Sequence, residues 1–206
     1  MASVYDIKPK FQSLLRPIVI KLAKRNITAN QVTISALLLS LITGALICFF
    51  PNESWTLLLI PAVLFVRMAL NAADGMLARE HDMKTKLGAV LNELGDVISD
   101  TVLYLPLVYV SGFVPELIVV IVILSIISEM SGVIGIQISG KRRYEGPMGK
   151  SDRAFIFGLA SLLLGIGVGA RIWLISLQYI IIFLLIVTII NRTKKSLEDE
   201  RVNKHK

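Results

Sequence analysis

Five polar residues stand at spacings that can do chemistry together. Asn71 and Asp74 are three apart, which puts them on one face of a helix, and Asn92, Asp96 and Asp100 follow at intervals of four, stacked on one face of another. Only eight residues separate Arg79 from Gly88, so a short loop joins the two helices and both polar faces can look into one cavity. Carboxylate and amide oxygens of this kind suit a hard cation such as Mg²⁺ or Mn²⁺. Gly75, Ala78 and Gly88 are small and allow close helix packing or close approach of a ligand. The plainer reading of the same residues is a structural polar network or an ion path. Carboxylates are costly in a bilayer, so in either case they face a polar interior.

A second group lies between Lys141 and Arg153, where Lys141, Arg142, Arg143, Lys150 and Arg153 surround a Gly-Pro-Met-Gly run. Guanidinium forks and a lysine suit phosphate, and the Gly-Pro-Met-Gly run allows a tight turn. This is a cup for a phosphorylated or otherwise anionic acceptor, or else ordinary basic charge beside anionic lipid. Asp152 adjoins Arg153 and is expected to neutralise it. Glu129, amid Ser125, Ser128 and Ser131, either bridges helices or joins the acceptor group. Arg67, one to two turns from Asn71, is expected to pair with Asp100 or Glu129. Thr28 or Asn30 caps the first long apolar run.

The elements that must position these residues are set by composition. The chain has 206 residues, 54% hydrophobic and 18% charged, with a mean hydropathy of +0.70. Soluble domains carry about 25% charged residues, and here the apolar excess sits in blocks of membrane-crossing length. A secreted disulfide scaffold, a collagen-like chain and a disordered protein are excluded, and Cys48, the single cysteine, has no internal partner. The blocks predict six transmembrane helices, at 32–50, 55–73, 87–112, 114–139, 154–170 and 173–191. The expected fold is all-α: a polytopic six-helix bundle over 32–191, a cytoplasmic N-terminal segment over 1–31 and a basic, solvated tail over 192–206. Phe11, Leu14, Leu15, Ile18, Val19 and Leu22 recur at helical spacing, which predicts an amphipathic helix lying in the interface. Of 22 Lys and Arg, all but Arg67 and Arg171 fall on one side of these spans. The positive-inside rule then puts both termini and the site in the cytoplasm. The net charge of +7 reads as cytoplasmic loops against anionic lipid, not as nucleic-acid binding.

The first cluster resembles the CDP-alcohol phosphatidyltransferases, also called CDP-alcohol phosphotransferases, whose pattern is D-x2-D-G-x2-A-R-x8-G-x3-D-x3-D. Asp74, Gly75, Ala78, Arg79, Gly88 and Asp96 match it with every gap at the right length, and Asn71 and Asn92 stand at its first and third aspartates. The resemblance implies a six-helix membrane enzyme of phospholipid biosynthesis, its partners being a CDP-linked lipid donor such as CDP-diacylglycerol and a small alcohol acceptor, free or phosphorylated. It further implies a homodimer, in the inner membrane if the source is bacterial. Asp96 would be the catalytic base. Asn71, Asp74, Asn92 and Asp96 would hold one or two Mg²⁺ or Mn²⁺ ions. Asp74, Gly75, Ala78, Arg79 and Gly88 would bind CDP. Glu129, Arg142, Arg143, Lys150 and Arg153 would bind the acceptor. Two of the four motif carboxylates are amides here, which lowers the site's negative charge and its expected metal affinity; Glu93, Asp82 and Asp100 are candidates to compensate. A catalytically silent scaffold is the alternative within the same resemblance, and a small transporter is the alternative outside it.

Overall fold

A computed structural model describes residues 4–170 and 172–204; Arg171, His205 and Lys206 lie outside them. Those residues form helices and no strand: α1 (Val4–Lys24), α2 (Ala29–Phe49), α3 (Ser54–Glu80), α4 (Lys86–Tyr104), a 3₁₀ turn (Leu105–Tyr109), α5 (Pro115–Ser139), α6 (Lys150–Gly165) and α7 (Ile172–Lys204). The Thr28 hydroxyl accepts from the Gln31 amide at 3.3 Å and the Gln31 side chain accepts from Thr28 N at 2.9 Å, a reciprocal cap that starts α2. Thr85 starts α4 by accepting from Gly88 N at 2.8 Å. Asp152 starts α6 by accepting from Gly149 N at 2.9 Å, so it is spent on the cap and does not neutralise Arg153.

Helix α2 packs on both α3 and α4, α3 packs on α6, and α5 pairs with α7. The core between them is apolar, built on Ile47, Ile60, Leu103, Leu107, Ile118 and Ile121, with the rings of Tyr104 and Phe157 stacked at 4.4 Å. Large apolar side chains such as Ile42, Phe65, Leu94, Ile123 and Phe183 point outward from the bundle. An all-round apolar surface of this kind suits lipid, not water. Four helices, α2, α3, α5 and α7, are long and apolar enough to cross a membrane, which makes this a multi-pass membrane protein. Against six expected spans, α4 is loaded with Glu93, Asp96 and Asp100, and α6 has 16 residues, with Lys150, Asp152 and Arg153 in its first turn. Helix α1 lays Leu15 and Val19 against Met76 and Leu77 of α3 and turns Leu14 and Ile18 outward.

Two boundaries depart furthest from the sequence expectation. The third apolar block does not run helical to residue 112: α4 gives way to the 3₁₀ turn at Leu105. Pro106 has no N–H to offer the Val102 carbonyl four residues back, so the α-helical ladder cannot continue through it. That carbonyl instead abuts Gly44 of α2, and a Cβ at Gly44 would collide with Val102 O. Gly44→Ala is therefore expected to wedge α2 from α4 and destabilise the bundle by about 1–3 kcal/mol, read as a lower unfolding midpoint in detergent. An unchanged midpoint would show that the two helices separate freely there.

The second difference is α7, which continues past residue 191 to Lys204. The basic tail is not a solvated run: Arg192 and Ser196 are buried, extending the face already formed by Gln178, Leu185 and Thr188. The repeat of 3 and 4 along that face keeps it turned toward α5 as far as Ser196.

Candidate functional site

Helices α3 and α4 splay on either side of α2, and a cavity of about 1060 Å³ opens between their polar faces. Phe11 and Gln12 of α1 and Asn30 and Thr33 of α2 line it together with Asn71, Asp74, Gly75, Ala78, Arg79, Gly88, Asn92 and Glu93. The motif residues of α3 and of α4's first turns therefore do meet one space. Asp74 is buried, and the Thr33 hydroxyl donates to its Oδ2 at 2.8 Å while also reaching Ala29 O at 3.1 Å. Asp96 accepts on Oδ1 from Asn71 Nδ2 at 3.3 Å and from the ammonium of Lys150, which arrives from α6.

The small residues have direct geometric reasons. A Cβ on Gly88 would lie 2.7 Å from Asn30 Oδ1 and 3.0 Å from Thr85 Oγ1, so this glycine lets α2 and α4 close at the cavity wall. At Gly75 the nearest atoms belong to the Arg79 guanidinium, 3.2 Å from where a Cβ would stand. Arg79 thus folds back over the bare backbone one turn earlier and presents its charge at the cavity.

Beneath the cavity lies an ionic network that ties five helices, α3 to α7. Both Arg67 Nη atoms stand 3.2 Å from Asp100 Oδ1, and Arg153 Nη2 reaches Asp100 Oδ2 at 2.9 Å and Glu129 at 3.1 Å. Arg142 reaches Glu129 at 3.0 Å and Glu93 at 2.7 Å. Arg192 donates to Ser128 O at 2.5 Å and lies 3.6 Å from Glu129. Arg67, Asp100, Glu129, Arg153 and Arg192 are all buried. Charges at this depth are tolerable because each has an opposite partner.

The structure sorts the acceptor candidates. Glu129, Arg142 and Arg153 come together, and Lys150 joins Asp96 instead. Arg143 is turned away: its guanidinium lies 2.6 Å from Ser139 Oγ and 2.7 Å from Asp199 of α7, and its backbone N donates to Gly132 O at 3.0 Å. It fixes the α5–α6 connection to α7 and does not share the cluster on Glu129. Asp100 and Glu93 are held by arginines, so they are not free carboxylates for a cation. Arg192 was outside the sequence expectation, yet it stands on Glu129. Its signal was the spacing of Leu185, Thr188, Arg192 and Ser196, which keeps one helical face.

A second cavity of about 440 Å³ runs along the outside of α3 and α6, lined by Pro61, Leu64, Phe65, Phe155, Leu159 and Leu162. It ends at Asn71 and Lys150 and shares Met68, Asn71 and Ser151 with the polar cavity. One face thus joins a polar chamber to an apolar groove.

The polar cavity and the ionic network are thus both built into an all-helical, multi-pass membrane bundle. Residues 26–191 match the CDP-alcohol phosphatidyltransferase family, and the chain belongs to it. Among relatives, the inner membrane protein YnbA of Escherichia coli is 48% identical over 195 residues, covering 95% of this chain and 96% of that protein. An uncharacterized protein of Aquifex aeolicus is 29% identical over 211 residues, at 95% and 96% coverage. The fold is also that of the phosphatidylinositol phosphate synthase PgsA1 of Mycobacterium tuberculosis. Its crystal structure with CDP-DAG bound superposes with a TM-score of 0.73 at 20% identity, covering 87% of this chain and 92% of that one. The same protein in complex with manganese and citrate gives 0.73 at 21% identity, covering 87% of each.

Proposed function

We propose that the chain transfers the phosphatidyl group of a CDP-linked lipid to an alcohol and releases CMP. The observation that carries this reading is the junction of the two cavities at Asn71. An amphiphile with a nucleotide head and acyl chains needs a polar chamber continuous with an apolar groove, and here the join falls beside Asp96. In this reading the acceptor hydroxyl gives its proton to Asp96, its oxygen bonds to the lipid-side phosphorus, and the bond from that phosphorus to the CMP oxygen breaks. Asn71 and Lys150 both hold Oδ1, which orients the carboxylate and leaves Oδ2 for the hydroxyl. Gly75 lets Arg79 fold back and offer its guanidinium to a phosphate of the nucleotide, and Gly88 lets α2 close on α4 to wall the nucleotide's chamber. Glu129, with Arg142, Arg153 and Arg192 around it, forms the wall nearest the acceptor.

The donor set suits a hard divalent cation, since Asp74 offers a carboxylate and Asn71 and Asn92 offer amide oxygens. Such an ion would neutralise charge gathering on the pyrophosphate. The manganese-bound state of the similarly folded synthase supports this. The site faces the cytoplasm in this reading, because Arg79, Lys84, Lys86, Lys141 and Lys150 crowd the helix ends that frame it.

The test is CMP release by purified protein in liposomes carrying CDP-diacylglycerol, with Mg²⁺ or Mn²⁺, against a panel of free and phosphorylated alcohols. Alcohol-dependent CMP release is expected. No release with any alcohol and either ion would overturn the reading and favour a silent scaffold.

A further inference from the structure

We infer that the site takes a single divalent cation, at Asp74, and that the ammonium of Lys150 fills the second cationic position, at Asp96. This rests on the transfer reading above and specifies how its charge is balanced.

Two carboxylates at the site are not held by an arginine: Asp74, which lines the cavity, and Asp96, which is bonded to Asn71 of its wall and already has a cation. Lys150 is not a loose surface lysine that happens to reach inward. It opens α6 next to the Asp152 cap, and one turn on, the buried Arg153 is anchored to both Asp100 and Glu129. Those contacts hold the first turn of α6 against α4, so the Lys150 stem starts from a fixed backbone. Its ammonium and the Asn71 amide N–H then converge on the same oxygen of Asp96. An amide N–H and an ammonium are donors only, so the Oδ1 face of Asp96 is built to receive protons and not a metal.

No neighbouring carboxylate makes up the charge. Glu93 is held by Arg142, Asp100 by Arg67 and Arg153, and Glu129 by Arg142, Arg153 and Arg192. Among the described residues no three acidic, histidine or cysteine side chains gather in a way that holds a metal. Two divalent ions would bring four positive charges beside two carboxylates and a lysine, and like charges at such short range repel strongly. One ion beside Asp74 meets a different environment. Thr33 ties down Oδ2 of that carboxylate, and Asn92 faces the same cavity with a neutral oxygen. The lysine ammonium is covalently part of the chain and needs neither ligands nor a supply of free metal.

The experiment counts Mn²⁺ alone bound to the purified full chain in detergent, from the loss of the free-ion electron paramagnetic resonance signal. One Mn²⁺ per chain is expected for the wild type, with the spectrum of an isolated ion. The double variant Lys150→Met with Asn71→Asp removes the fixed cation and adds a carboxylate; it should bind two, with the broadening of a coupled pair. Lys150→Arg keeps the charge and should stay at one. Two ions in the wild type, or none, would overturn the inference, as would a double variant that stays at one. The wild-type count decides the matter alone if the double variant does not fold. CMP release is read separately. One bound ion without CMP release sinks the transfer reading and leaves this inference standing, while CMP release with two bound ions does the reverse.

Discussion

Asp96→Asn is expected to lower CMP release from CDP-diacylglycerol by about 10²–10⁴-fold, the usual worth of a general base, while the helices and the unfolding midpoint stay near those of the wild type. The substitution keeps the shape of the side chain, and the asparagine carbonyl can still accept from Lys150 and Asn71 where Asp96 Oδ1 does. What disappears is the second ionised oxygen, the atom that takes the hydroxyl proton. The loss should fall on kcat, because the base acts on the reacting hydroxyl and not on the binding of the CDP-lipid. Two results would contradict this assignment. One is unchanged turnover, and the other is a lost activity that returns fully when the lipid concentration is raised.

The helices and the chemistry were legible in the sequence to different depths. The apolar blocks announced an all-helical membrane chain, since long runs without charge have no other stable form in lipid. The spacing of Asn71, Asp74, Asn92 and Asp96 announced that two helices present polar faces to one cavity, because a period of 3 or 4 selects a face whatever the packing. Arg67 beside Asp100 was also readable, as a buried cation in an apolar run must find a partner and few were on offer. Partnership across longer separations was not readable. That Lys150 would choose Asp96, that Arg143 would choose Asp199, and that Asp152 would serve α6 and not Arg153 all depend on how α6 and α7 dock. Nothing local encodes a docking angle. The end of α7 was missed for a compositional reason: after residue 191 the charged residues outnumber the apolar ones, and a helix held there by Arg192 and Ser196 looks solvated until its partner Glu129 is seen.

That network also sets the largest stability effect expected in the molecule. Arg153 is buried and bridges Asp100 of α4 to Glu129 of α5 from its own place on α6, with distances of 2.9 and 3.1 Å. Arg153→Met keeps much of the side-chain volume but leaves Asp100 with Arg67 alone and Glu129 with Arg142 and Arg192. Breaking a buried pair from one side costs about 3–5 kcal/mol, because the remaining charge stays desolvated. The effect should appear as a clear fall in the denaturant midpoint of the detergent-solubilised protein. Arg16→Met is the matched control. Arg16 also pairs with a carboxylate, Glu80 at 3.1 Å, but both side chains are exposed to solvent. An exposed pair is worth about 0–1 kcal/mol, so that variant should unfold almost with the wild type. Equal midpoints for the two variants would mean that α6 is held by apolar contacts such as Phe157 on Tyr104 and not by the ions. If Arg153→Met is instead strongly destabilised, adding Glu129→Gln should lower the midpoint further, since it takes from the buried Arg192 its carboxylate partner. A further loss of that kind would assign the cost to electrostatics and not to the lost packing of the arginine stem.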